Sequence, residues 1–188
     1  MSLRIGGISA IVGASLIVIV VALTGGHTEV SEPASSIALL VALAALLVAL
    51  TGMSAFQARS NPLLVWTAFG VTAVGTLAIF IAGVSDLAGA GPRDWRDGPL
   101  PIGVVAVGLG SAAFGIATYR GSVLSRKGAL SLVIGPAAGF IGAIAVGQDL
   151  WAPGMLLVLV GIVSFLAGWF TLGVAAIRLD RASALKPA

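Results

Sequence analysis

Apolar residues run along this chain in six long blocks, each parted from the next by a short polar or glycine- and proline-rich segment. The blocks cover about residues 5–23, 34–56, 62–84, 101–119, 128–147 and 153–177. A bilayer core about 30 Å thick takes about 20 apolar residues per helix, so each block predicts one transmembrane helix. The first block follows Met1, Ser2, Leu3 and Arg4, as a signal peptide would. It outruns the 7–15 residues of a signal core and lacks a small-residue cleavage site after it, which predicts a retained helix.

The segments between blocks carry the stop and start signals. Pro33 and Pro62 stand at helix starts, where the missing N–H costs nothing, and Asn61 is placed to cap the third helix. Segment 85–100 is the longest connection and is rich in glycine and proline. Gln148 and Asp149 precede Trp151 and Pro153, a turn in which a cap for the sixth helix is expected. Residues 178–188 read as a short polar tail.

Composition then fixes the solvent. Of 188 residues, 59% are hydrophobic and 9% charged, whereas a soluble domain has about 25% charged residues. The chain is predicted to be one all-α integral membrane domain, 1–188, of six transmembrane helices. No cysteine is present, which excludes disulfides, thiolate metal sites and cysteine nucleophiles. The net charge of +3 is not a nucleic-acid signal, because no basic and aromatic surface goes with it. It sorts by side instead. Arg4, Arg59, Arg120, Arg126, Lys127, Arg178, Arg181 and Lys186 fall at one end of the helices, and only Arg93 and Arg96 at the other. Short basic loops stay cytoplasmic, so both termini are expected there, in a plasma membrane of prokaryotic type. Glu29, Glu32, Asp86, Asp94, Asp97 and Asp149 make the outer face acidic. Trp95 and Trp151 fit the outer interface, and Trp66, Tyr119 and Trp169 the inner one.

No Asp, Glu, Lys, Arg or His lies in the middle of a block. Such groups are expensive in lipid and mark proton relays and ion sites, so their absence argues against pumps, ion-coupled transporters and intramembrane proteases. His27, Glu29 and Glu32 share one outer loop and form the candidate pH-sensing or metal-binding set, against the plainer reading of a solvated loop. Gly135, Pro136 and Gly139 are candidates for close helix packing, a dimer face or a kink. Thr67, Thr72, Thr76, Ser111 and Thr118 are the hydroxyls a polar path would use, unless they bond to their own helices. Gly108, Gly110 and Ala113 imitate a dinucleotide fingerprint, but inside a helix rather than after a strand.

A repeat is also visible. Gly110, Gly115, Ala117 and Arg120 recur as Gly168, Gly173, Ala175 and Arg178, with a weaker echo in Ala49, Ser54 and Arg59. This predicts three parallel-repeated helical hairpins. The hairpin from Arg126 to Arg181, with Gly135 in its first helix, Pro153 at its turn and Gly161, Gly168, Ala175 and Arg178 in its return, resembles the HdeD-like acid-resistance membrane protein family. That resemblance implies a small six-helix protein with a role in envelope stress or acid tolerance, and no catalytic residues. The expectation is a non-enzymatic multi-pass protein with no cofactor. Its expected partners are the lipid bilayer and a second copy or another membrane protein. The alternative is a small transporter, channel or subunit of a transport complex.

Overall fold

The computed structural model of the protein describes residues 3–25, 32–59, 61–89, 98–121 and 124–184. The described residues form six helices: α1 (Leu3–Gly25), α2 (Glu32–Gln57), α3 (Pro62–Leu87), α4 (Leu100–Gly121), α5 (Arg126–Gly147) and α6 (Trp151–Ala184). Each is long and apolar enough to cross a membrane.

The helix ends show where charge and helix boundaries part company. The apolar block of α5 starts at Gly128, yet the helix starts two residues earlier. Ser125 is in extended conformation (φ −65°, ψ 117°), and its Oγ accepts from Gly128 N at 3.3 Å. That cap brings Arg126 and Lys127 into the first turn. Asn61 does the same for α3, its Oδ1 accepting from Leu64 N at 3.4 Å. At the far end, α6 runs on through Arg178, Leu179, Asp180 and Arg181 to Ala184, where a polar tail was expected. Arg and Leu are good helix formers and no glycine or proline intervenes. Its 34 residues span about 50 Å, well beyond the apolar thickness of a bilayer.

The turn between α5 and α6 closes differently from expectation. Asp149 sits at φ 62°, a left-handed conformation that Asp tolerates better than most residues. There Asp149 N donates to the Val146 carbonyl at 3.2 Å, and Leu150 N to that of Ala145 at 3.0 Å. The residue ends α5 rather than capping α6, whose first bond runs from Gly154 N to the Leu150 carbonyl at 3.0 Å.

The six helices form a closed ring in chain order. The closest packing is within the hairpins α1–α2, α3–α4 and α5–α6. Between hairpins, α2 meets α3, α4 meets α5, and α6 returns to α1. Every junction joins the second helix of one hairpin to the first helix of the next, as a threefold parallel repeat requires.

Equivalent small residues make equivalent crossings. A Cβ placed on Gly13 would lie 2.9 Å from the Ala42 carbonyl oxygen; on Gly75, 2.8 Å from that of Gly103; on Gly135, 3.0 Å from that of Gly161. The helices touch through backbone at these points, which only small residues permit. Ala42 stands in the first hairpin where the other two have glycine. The junctions between hairpins follow suit. Gly7 and Gly173 each face the other's carbonyl at 2.7 Å from a would-be Cβ, and Gly115 faces that of Ala129 at the same distance. Ser54 takes the corresponding place on α2, and α2–α3 is the least extensive junction of the ring.

Candidate functional site

The even-numbered helices supply most of the core cluster, to which Ala10, Ala14, Ala68 and Leu132 of the odd-numbered helices add. Aligning the chain on Arg59, Arg120 and Arg178 groups nine residues into three triplets: Leu50 with Ser111 and Trp169, Met53 with Phe114 and Leu172, and Gln57 with Thr118 and Ala176. All nine are at most 2% exposed. Within each helix their spacing keeps one face pointing inward over two turns. The apolar six belong to a single core cluster, so the repeat axis is filled with side chains.

Trp169 and Phe114 dominate that filling. Their rings lie nearly parallel (11°) with centroids 6.1 Å apart, and Phe165 meets Trp169 edge-on at 6.3 Å. Trp169 was expected at the inner interface. Its place on the inward stripe with Leu166, Leu172 and Ala176 makes it a core residue instead. Trp66 and Tyr119 remain half exposed, Trp66 edge-on to Phe69 and Tyr119 with the Arg126 guanidinium 5.7 Å from its ring centre.

The polar part of the axis lies at the end marked by Arg59 and Arg120. Gln57 Nε2 donates to Thr118 Oγ1 at 2.9 Å, and the Thr118 hydroxyl donates to the Phe114 carbonyl at 2.8 Å. Gln57 Oε1, at 3.0 Å, is its alternative acceptor. This neutral amide–hydroxyl pair joins α2 to α4, helices that otherwise barely meet across the ring. Ser54 Oγ, Ser111 Oγ and Trp169 Nε1 are buried without a hydrogen-bond partner in the protein. Each such group costs stability relative to a satisfied one. Among the described residues no ionisable side chain is buried.

The sequence candidates scatter. His27 and Glu29 lie outside the described residues, and Glu32 is the first residue of α2. Gly135 packs inside the α5–α6 hairpin, and Pro136 with Phe140 faces Gly108 of α4. The helix runs continuously through Pro136. Gly139 adjoins Gly161, whose would-be Cβ comes within 2.6 Å of Gly139 N. Thr72 and Thr76 are buried, and their hydroxyls donate to Ala68 O and Thr72 O on their own helix, both at 2.8 Å. Thr67 is exposed and stands apart from these buried hydroxyls. Among the described residues no group of three or more His, Asp or Glu could hold a metal ion. Gln57 escaped notice, although its place two residues before Arg59 matches Thr118 before Arg120.

Removing the Thr118 hydroxyl tests the pair. Thr118→Val is expected to cost about 0.6–1.5 kcal/mol. The double change with Gln57→Leu should cost less than the two single changes summed, read by thermal unfolding in detergent.

Fold and axis thus define a closed all-α bundle of membrane-length helices, compatible with a multi-pass membrane protein. Comparison with protein-family models, with curated proteins and with solved structures finds no match to this chain.

Proposed function

We propose that the protein is a non-enzymatic multi-pass protein of a prokaryotic plasma membrane that acts by packing and assembly under envelope stress, acid stress foremost. The observation that supports this reading is the filled axis. Leu50, Met53, Phe114, Trp169 and Leu172 occupy the place where a carrier or channel keeps its polar path, each at most 1% exposed. The threonines that would serve such a path spend their hydroxyls on their own backbone. Among the described residues no ionisable side chain is buried beside the hydroxyls of Ser111 and Thr118 to act as their base. The stress role itself comes from the likeness of the Arg126–Arg181 hairpin to HdeD-like proteins. The basic helix ends support a cytoplasmic location for both termini.

A deletion strain is expected to survive acid exposure less well than its parent and to regain survival when the chain is supplied from a plasmid. Equal survival of both strains in acid and in other envelope stresses would remove the stress role.

A further inference from the structure

A groove of about 540 Å³ lies beside α6 at the basic end of the bundle. One wall is the stripe Phe170, Val174 and Arg178, spaced one turn apart along α6, with Leu179 beside it. The other wall is Leu124 and Ser125, which lead into α5. The stripe is graded. Phe170 and Val174 lie on the membrane side, and Arg178 lies where α6 leaves the apolar layer. Among the described residues lining the groove, Arg178 is the one that is ionisable.

We propose that this groove binds one anionic phospholipid of the inner leaflet, its phosphate on Arg178 and an acyl chain along Val174 and Phe170. Charge complementarity selects the occupant. Arg120, Arg126, Lys127 and Arg181 stand at the same end as Arg178, with Asp180 as the acidic residue among them. The cytoplasmic leaflet is the anionic one, and basic pockets between helices on that side hold acidic head groups. A guanidinium meets a phosphate through paired N–H bonds, while the choline of a zwitterionic lipid adds a like charge beside it. An acyl chain gains little from a flat apolar surface in lipid, since neighbouring chains are as apolar. A trough that ends in a cation distinguishes one lipid from its neighbours by the head group. The proposal rests on the membrane location and orientation proposed above, and not on the stress role.

The test uses the full chain purified in a neutral detergent. Phosphatidylglycerol or phosphatidylcholine with the same acyl chains is added, and bound lipid is counted by native mass spectrometry. The wild type is expected to retain one phosphatidylglycerol and to release phosphatidylcholine. Arg178→Gln should weaken retention about tenfold, and Val174→Trp, which fills the trough, should do the same. Arg181→Gln, one turn away and outside the groove, should leave it unchanged. Equal retention of the two lipids would overturn the proposal, as would equal losses in Arg178→Gln and Arg181→Gln. So would a second copy of the chain in place of lipid, abolished by Val174→Trp. If Val174→Trp fails to fold by circular dichroism, the two arginine variants decide. None of these outcomes depends on the acid-survival phenotype, so the two proposals fail separately.

Discussion

Replacing Gly161 with alanine is expected to destabilise the bundle by about 2–3 kcal/mol, a large effect for one methyl group. The added Cβ would lie 2.6 Å from Gly139 N, 2.7 Å from Gly139 Cα and 2.8 Å from Gly135 O. All three are backbone atoms of α5, so no side chain can turn aside and the two helices must separate. In lipid there is little hydrophobic force between helices to offset that separation, because packing itself holds them. The neighbouring glycine is the control. A Cβ on Gly139 meets nothing within 4 Å. Gly139→Ala should therefore be neutral, or gain up to about 1 kcal/mol from better helix propensity. Thermal unfolding in detergent, followed by circular dichroism, separates the two. Equal stability of both variants would show that α5 and α6 do not cross through these glycines.

Trp169→Ala carries the second large effect, a loss of about 3 kcal/mol. The indole is 1% exposed and stacked on Phe114, so truncation leaves a hole between α4 and α6 that the helices cannot close without breaking their crossings. Trp151, 64% exposed at the opposite end of the same helix, provides the comparison. Trp151→Ala should stay within about 0.5 kcal/mol of the parent. Trp169→Phe should fall between them. It keeps an aromatic face for Phe114, and the lost Nε1–H had no partner in the protein. Indistinguishable unfolding of the two alanine variants would mean that the axis is not what holds the ring together.

Six helices were legible because hydropathy alone settles membrane-length segments. The boundaries were less so. Arg126 and Lys127 are charged, which marks a loop by hydropathy, while the Ser125 cap puts them in the helix. Arg178 to Ala184 were read as tail for the same reason. The repeat was visible in its glycines and arginines, since these mark backbone contact and the membrane border. What sat between them was harder to see. Trp169 looked like an interface anchor because tryptophan favours that place, and only the neighbours of α6 reveal that its side chain turns inward. Gln57 lies just past the apolar block of 34–56, yet it faces Thr118 across the axis. In a chain that is apolar on every side, periodicity cannot tell the lipid face from the core face. Small residues and the repeat register are then the better guides.

The return of α6 to α1 has a consequence for how such a molecule is made. Chains are synthesised from the N-terminus, so Gly7 waits through the insertion of the four intervening helices before Gly173 arrives to meet it. Until then the assembly is an open arc with two unlike ends, and those ends fit each other whether or not they belong to one molecule. Interfaces of this head-to-tail kind close where the rotation per unit allows and otherwise continue from copy to copy. Three hairpins complete the turn. A chain stopped before its third hairpin exposes the Gly115 face of α4, which ordinarily seats α5. The last helix is therefore the one that closes the ring against the first.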